Sequence, residues 1–462
     1  MINNLSLFTD FYELTMMQGY FLNNPDQEVV FDYFVRKNPF EGGYMIFAGL
    51  DPLLIELVNL QFDDKSIDYL RQNGNFCEEF LTYLSNLKFT CDIFSIKEGE
   101  LFFPNEPVVI VKGPILEAQL IESMLLNFLN FQSLIATKTA RIVESAKGRG
   151  ILEFGLRRAQ GADGALSGTR ASIIGGCSAT SNTLAGQKFN IPVSGTMAHS
   201  WIMSFNSELE AFEKYADIYP DNCTLLVDTY DTIISGVPNA IKIFKTLKQK
   251  GYSKFGIRLD SGDMKELSKS ARKLLDENDL SNVKIFISNE LDESIIEDLL
   301  KSNSPIDAFG VGTRLITAHP DSSLTGVYKL AAIIDNEIEN PVMKFSNTIE
   351  KQTNPGFKNV IRFYDKNDNM IGDLICLNAE NIQEVTSQFS SDNCKFEELL
   401  QPVMIEGNII SRDNDLNVIS QYKKKQMERL PVNFKQLKNS EKYSIRLSNT
   451  LKNIKEQLLK RL

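Results

Sequence analysis

Histidine and tryptophan are scarce in this chain, whose 462 residues include two histidines and one tryptophan. One histidine and the tryptophan share the octapeptide SGTMAHSW, residues 194–201. The small neighbours of His199 would let a ligand approach the imidazole closely, and a histidine so placed can act as a base or a nucleophile. Taken alone, so short a motif fits a half-buried histidine in a turn at least as well.

Motifs for metal knuckles, export and membrane insertion are also missing. The six cysteines form no CxxC pair, which argues against a zinc knuckle and predicts free thiols in a reducing cytoplasm. The N-terminal residues lack a basic stretch followed by an apolar core, so we expect no signal peptide. The most apolar segment, 115–136, is interrupted by glutamate, glutamine and asparagine, and predicts a buried amphipathic helix rather than a membrane span.

Net charge and length further limit the functional class of the protein and its number of domains. A formal net charge of −11 argues against a general nucleic-acid binder. The length exceeds one ordinary core and predicts two or three domains. We expect an N-terminal α/β domain over 1–115. An α/β domain that carries the site follows over 116–325, and residues 326–462 supply C-terminal strands and helices.

Five short apolar runs between residues 151 and 313 each end in polar residues and precede a helical pattern. Their spacing is typical of successive βα units, in which functional groups collect at the carboxyl ends of the strands. Ordinary capping of strand ends is the alternative. The residues predicted to share this rim are Arg157, Asp228, Arg258, Asp260, Asn289 and the loop 310–313.

Two segments of this rim suggest a phosphorylated ligand. Loop 310–313, GVGT, offers backbone N–H groups and a hydroxyl, as phosphate loops do, although a tight turn would look the same. Segment 258–263, RLDSGD, combines an arginine with two carboxylates. Arg258 can bind a carboxylate or a phosphate, and Asp260 can hold ribose hydroxyls or, through water, Mg²⁺; an internal Arg–Asp pair is the alternative. The mixture favours a phosphorylated sugar with Mg²⁺ over a bare anion.

The segments LFTDFYELTMMQGYF, EFGLRRAQGADGAL, SGTMAHSW, LLVDTYDT, GIRLDSGD and FGVGTRLITA occur in this order along the chain. Together they resemble the nicotinate phosphoribosyltransferase family over nearly the whole length. The resemblance implies an irregular α/β barrel of the type II phosphoribosyltransferases, with an additional α/β domain formed from the N- and C-terminal segments. In that domain, parts of 326–462 complete the N-terminal domain over 1–115. It also implies a cytoplasmic homodimer whose active sites are shared between subunits.

The activity implied by the resemblance joins nicotinate to 5-phosphoribosyl 1-diphosphate. The products are nicotinate mononucleotide and diphosphate, for NAD biosynthesis and salvage, and ATP hydrolysis is coupled to the synthesis. Mg²⁺ is the implied cofactor, with unknown protein ligands. His199 matches the histidine that ATP phosphorylates, and Tyr12 matches a tyrosine that stacks on the pyridine ring, often from the partner subunit.

The resemblance further implies a role for each residue of the rim. Catalysis is assigned to His199, Asp228 and Asp260. Nicotinate binding is assigned to Tyr12, Arg157, Thr196 and Arg258. Phosphoribosyl diphosphate binding is assigned to Arg258, Asp260, Gly262, Asn289, Gly310, Gly312 and Thr313.

Residues 178–186 bear on the choice between acid and amide substrates. Relatives that use nicotinamide keep an aspartate in the corresponding stretch, where this chain has no carboxylate and Asn182 falls nearby. An aspartate would repel the carboxylate of nicotinate, so its absence favours nicotinate. A nicotinamide phosphoribosyltransferase and a non-catalytic protein on the same scaffold are the alternatives.

Overall fold

A computed structural model describes residues 4–345, 352–387 and 394–460. The chain separates into two compact units. The split unit consists of Met1–Thr137 with Ser323–Leu462, and the central unit consists of Lys138–Ser322. The domain boundaries expected near residues 115 and 325 stay a prediction.

The strands are numbered in chain order. They are Glu28–Val35 (β1), Met45–Ile46 (β2), Asp92–Ser95 (β3), Leu101–Phe102 (β4), Val109–Pro114 (β5), Gly150–Glu153 (β6), Ala179–Thr180 (β7), Cys223–Leu226 (β8), Phe255–Leu259 (β9), Lys284–Ile287 (β10), Ala308–Val311 (β11), Gly326–Asp335 (β12), Ile338–Pro341 (β13), Lys358–Tyr364 (β14), Met370–Leu377 (β15), Lys395–Glu398 (β16), Gln401–Ile405 (β17), Asn408–Ile409 (β18) and Ile445–Leu447 (β19).

The α-helices are numbered in the same way. They are Phe11–Asn23 (α1), Leu50–Val58 (α2), Asp64–Asn73 (α3), Glu78–Ser85 (α4), Ile115–Leu120 (α5), Glu122–Ser145 (α6), Gly161–Gly175 (α7), Thr183–Phe189 (α8), His199–Met203 (α9), Glu208–Ile218 (α10), Val237–Gln249 (α11), Met264–Asp276 (α12), Glu293–Lys301 (α13), Thr313–Ile316 (α14), Ile382–Ser387 (α15), Leu416–Arg429 (α16) and Asn449–Lys460 (α17).

The central unit is built on a six-stranded parallel sheet in the order β7-β6-β11-β10-β9-β8. β8 and β11 are buried at every residue, which is typical of parallel strands covered on both faces. Strands β8 to β11 are each followed by a helix, as the spacing of the polar strand ends predicts. The sheet ladder is open between β7 and β8 in this unit, so the barrel is irregular. The predicted fold class is confirmed.

The split unit contains an antiparallel seven-stranded sheet in the order β13-β12-β1-β5-β3-β17-β18. The interior strand β1, EVVFDYFV, is buried at seven of its eight residues and pairs with β12 and β5. A four-stranded sheet in the order β16-β14-β15-β19 buries the guanidinium of Arg362, which lies 2.6 Å from Asp373 and 2.7 Å from Glu100. Both terminal regions of the chain therefore contribute to one folded unit.

The apolar segment 115–136 is helical, as predicted, but Ile121 divides it between α5 and α6. The polar residues that interrupt this segment have polar partners. The side-chain amide of Gln119, for example, donates to Glu122 and to Glu13. None of the helices in the described ranges pairs the length with the hydropathy that crossing a bilayer requires.

Candidate active site

A cavity of about 470 Å³ lies at the carboxyl ends of β6, β9, β10 and β11 in the central unit. Its position follows from the parallel sheet, because the carboxyl ends of all its strands meet at one edge. The predicted site residues that line it are Arg157, Thr196, Arg258, Asp260, Asn289, Gly310, Gly312 and Thr313. The structure therefore brings together, in one cavity, residues spread over more than 150 positions of sequence.

His199 and Asp228 stand beside this cavity, next to Asp260. His199 begins α9, and its imidazole is partly exposed. The Nε2 atom of His199 lies 4.0 Å from Oδ1 of Asp228 and 3.9 Å from Oδ2 of Asp260. Both distances exceed a hydrogen bond but are short enough for the two carboxylates to stabilise a positive charge on the ring.

Asp228 is held rigidly, since its side chain is only 1% exposed. Its Oδ2 accepts hydrogen bonds from the backbone N–H of Asp260 at 2.7 Å and from the hydroxyl of Ser261 at 2.8 Å. Its Oδ1 is buried and has no hydrogen-bond partner within the described residues. Asp260 in turn accepts a hydrogen bond from the hydroxyl of Ser288. Sequence reasoning missed both serines, although each adjoins a predicted residue.

Arg258, on strand β9, forms hydrogen bonds with the segment 195–198. Its Nη1 donates to Oγ1 of Thr196 at 2.8 Å and to the carbonyl of Met197 at 3.2 Å. Burial lowers the pKa of Arg258, and the carboxylates of Asp260 and Asp228 oppose that shift. An arginine stays charged in this setting, so Arg258 supplies a fixed positive charge at the wall of the cavity.

Arg157 and Arg158 lie exposed on the helical turn Leu156–Arg158 that follows β6, and both line the cavity. The preceding carboxylate, Glu153, is fully buried. It accepts hydrogen bonds from the hydroxyls of Thr169 at 3.0 Å and Thr180 at 2.6 Å and from a backbone N–H. Glu153 thus fixes the end of β6 from which the two arginines project, a role that sequence reasoning missed.

The glycines at the end of β11 permit close packing. A Cβ on Gly310 would lie 2.5 Å from the ring of Phe154, and one on Gly312 would lie 3.1 Å from the carbonyl oxygen of Phe154. Asn289 lines the same wall with φ of 113°, a conformation that costs energy in any residue but glycine. Thr313 donates to Oε1 of Glu290 at 3.0 Å, so a phosphate bound there would replace Glu290 as its acceptor.

Besides His199 and Asp228, two further predicted residues, Gly262 and Tyr12, lie outside the lining of this cavity. Gly262 adopts φ of 90° in the turn before α12, where the neighbouring Asp263 caps the helix by accepting from two backbone N–H groups. Tyr12 belongs to the split unit, where it lies on α1 with 49% of its surface exposed.

Asn182 is a helix cap, because its carboxamide oxygen accepts from the N–H of Ala185 at 3.2 Å. Its side chain is buried, and its amide lies 3.4 Å from the hydroxyl of Thr169. The neighbouring Ser181, rather than Asn182, lines the cavity.

A parallel α/β barrel with arginines, paired carboxylates and a glycine turn at its strand ends defines an enzyme of the phosphoribosyltransferase class. Sequence models for nicotinate phosphoribosyltransferase match the chain in three parts: the N-terminal domain at residues 7–130, the family model at 150–369 and the C-terminal domain at 357–455. The chain therefore belongs to the nicotinate phosphoribosyltransferase family.

Individual relatives agree over almost the full length. The chain is 41% identical over 460 residues to the nicotinate phosphoribosyltransferase of Bacillus subtilis, covering 96% of this chain and 93% of the relative. It is 39% identical over 436 residues to one from Mycobacterium tuberculosis, covering 94% and 89%. The crystal structure of human nicotinic acid phosphoribosyltransferase matches with a TM-score of 0.84 at 27% identity, covering 97% of this chain and 99% of that one.

Proposed function

We propose that this protein transfers the 5-phosphoribosyl group from phosphoribosyl diphosphate to nicotinate. The products are nicotinate mononucleotide and diphosphate, and the role is NAD biosynthesis and salvage. The observation that carries the proposal is the cavity at the strand ends, where Arg157, Arg158 and Arg258 line the same space as the carboxylate of Asp260. Cationic and anionic groups are both required there, because the substrates are anionic whereas the sugar becomes cationic as its bond to diphosphate breaks.

The reaction depends mainly on the positioning of the two substrates and on electrostatic stabilisation of the charges that develop. The carboxylates of Asp228 and Asp260 stabilise the developing cation on the ribose. Arg157, Arg258 and Thr196 hold the nicotinate carboxylate and orient the ring nitrogen toward C1. A second group of residues cradles the phosphates of the sugar: Gly262, Asn289, Gly310, Gly312 and Thr313.

Mg²⁺ fits the acidic side of this site. The ion takes one or two carboxylates together with phosphate oxygens and water, and does not need a cluster of protein ligands. No group of three or more acidic, histidine or cysteine side chains suited to a metal occurs among the described residues. Asp228, whose Oδ1 is buried without a partner, and Asp260 would hold Mg²⁺. When bound, the ion would neutralise charge on the departing diphosphate.

ATP serves as a co-substrate that phosphorylates His199. The partly exposed ring beside two carboxylates supports this role, because the carboxylates stabilise the positive charge that the ring gains on attack. The phosphohistidine would then add an anion beside the site and order it for the departure of diphosphate.

We further propose a cytoplasmic homodimer in which Tyr12 stacks on the pyridine ring bound by the partner subunit. The exposure of the Tyr12 side chain on α1 supports a contact outside its own unit. The six free cysteines suit a reducing compartment.

Product analysis tests the proposed function. The protein is incubated with nicotinate, phosphoribosyl diphosphate, Mg²⁺ and ATP, and products are identified by mass. We expect nicotinate mononucleotide as the product. Nicotinamide should be a poor substrate at equal concentration, because residues 178–186 contain no carboxylate to bind its amide group. His199→Ala should abolish coupled ATP hydrolysis. Efficient turnover of nicotinamide would support the amide-specific alternative, and the absence of any product would support a non-catalytic protein.

A further inference from the structure

Thr229 follows Asp228 in the loop that leaves β8, and its side chain reaches the ring of His199. Oγ1 of Thr229 lies 3.0 Å from Nδ1 of His199, which is the distance of a hydrogen bond. The two residues come from separate segments, since His199 begins α9 and Thr229 belongs to a strand-end loop. Tertiary structure alone therefore brings the hydroxyl to the imidazole.

The two ring nitrogens of His199 have different surroundings. Thr229 occupies the direction of the Nδ1 lone pair or proton, so an incoming phosphoryl group would have to displace its hydroxyl to reach Nδ1. Nε2 has no hydrogen-bond partner in the part of the chain that the structure describes, and the carboxylates of Asp228 and Asp260 lie 4.0 and 3.9 Å away. Nε2 is therefore the nitrogen that can attack a substrate, provided that it carries a lone pair.

The tautomer of the neutral ring decides whether that condition is met. An Nε2–H ring has no lone pair at Nε2 with which to attack phosphorus, whereas an Nδ1–H ring has one. The partner of one ring nitrogen decides which nitrogen is protonated, so the contact at Nδ1 sets the tautomer. The hydroxyl of Thr229 has lone pairs that can accept from Nδ1–H.

We propose that Thr229 is a positioning residue that holds neutral His199 in the Nδ1–H tautomer and leaves the Nε2 lone pair free to attack ATP. The inference rests on the phosphorylation of His199 given under Proposed function. In the step, the Nε2 lone pair forms a bond to the γ-phosphorus while the bond from phosphorus to the β,γ-bridging oxygen breaks. ADP leaves with that electron pair, Nδ1 keeps its proton, and Thr229 with the two carboxylates stabilises the cationic ring.

The tautomer can be measured without substrates, which separates this inference from the proposed function. The chain has two histidines, so ¹⁵N-histidine labelling gives a simple imidazole spectrum, and His319→Asn identifies the signals of His199. At a pH where the ring is neutral, we expect Nδ1–H in the wild type and in Thr229→Ser, which keeps the hydroxyl. Thr229→Val keeps the shape without the acceptor and should shift the population toward Nε2–H. An Nε2–H ring in the wild type, or no change in Thr229→Val, would overturn the inference.

Phosphorylation kinetics give a second measurement on the same three proteins. We expect Thr229→Val to form phosphohistidine at least about tenfold more slowly, as the loss of one hydrogen bond in the transition state predicts, with an unchanged KM for ATP. Thr229→Ser should retain most of the rate, and phosphorus NMR should place the phosphoryl group on Nε2. Equal rates in the Val and Ser variants, or phosphorylation at Nδ1, would overturn the role of Thr229. Absence of phosphohistidine from the wild type would instead refute the proposed ATP reaction, with the tautomer measurement still standing.

Discussion

Replacing Gly310 by alanine tests whether the cavity wall depends on close packing at the end of β11. An added Cβ would lie 2.5 Å from two ring carbons of Phe154 and 3.4 Å from Cβ of Ser288. Carbon atoms pack comfortably at about 3.5–4.0 Å, so the ring has to move by about 1 Å. Gly310 does not have a left-handed backbone, so the effect is steric rather than conformational.

Overpacking of this kind costs about 1–3 kcal/mol. Since 1 kcal/mol shifts the melting temperature of a unit of this size by about 2–4 °C, Gly310→Ala should melt several degrees below the wild type. Phe154 and Ser288 both line the cavity, and Ser288 donates to Asp260. We therefore expect the KM for phosphoribosyl diphosphate to rise as well, measured by initial rates alongside calorimetry.

Gly195→Ala is the matched control, because Gly195 lines the same cavity but an added Cβ there has no heavy atom within 4 Å. It should melt close to the wild type. Adding Phe154→Leu to Gly310→Ala removes the clashing ring atoms and should recover part of the lost stability. If Gly310→Ala matched the wild type in both melting temperature and KM, or if Gly195→Ala were equally harmful, the packing argument would be wrong.

Further predictions concern the split unit and the thiols. Arg362→Met leaves the carboxylates of Asp373 and Glu100 buried without their cation, so we expect a loss of about 3–5 kcal/mol in urea unfolding. Arg71→Met, whose partners Asp68 and Glu78 are exposed, should cost at most about 1 kcal/mol, and similar losses in the two variants would contradict the role of burial. Burial raises the pKa of Cys223 to about 12, so this thiol stays protonated at pH 8. Iodoacetamide at pH 8 should label the partly exposed Cys77 and spare Cys223 until the protein unfolds, as peptide mass mapping can check; rapid native labelling of Cys223 would contradict its burial.

Much of the rim could be predicted because a parallel sheet converts sequence order into spatial order. Asp260, Asn289 and Gly312 follow successive strands, and the carboxyl ends of those strands share one edge. Alternation of short apolar runs with helical patterns was enough to predict that edge, since each run is too short for a helix, and strands β8 and β11 are buried at every residue.

Other parts of the site depend on side-chain directions in loops, which no periodicity specifies. The hydroxyls of Ser261 and Ser288 reach the two carboxylates, and Glu290 accepts from Thr313. Each of these residues adjoins a predicted one, but whether a loop side chain faces the cavity is decided by local backbone angles, such as φ of 113° at Asn289. The pairing of β6 with β11 is likewise a long-range contact that the order of the strands does not reveal.

The sequence by itself determined the alternation of strands and helices, the chemistry available at each strand end and, through its ordered motifs, the family to which the chain belongs. These properties are local or linear, because hydrophobic period and residue type can be read along the chain. Only the tertiary structure decided which groups meet: the Thr229 hydroxyl at Nδ1 of His199, two carboxylates about 4 Å from Nε2, and Arg362 buried between two acids. These contacts depend on loop geometry and on the packing of segments that are distant in sequence. Electrostatic energies change steeply when such groups move by a few ångströms.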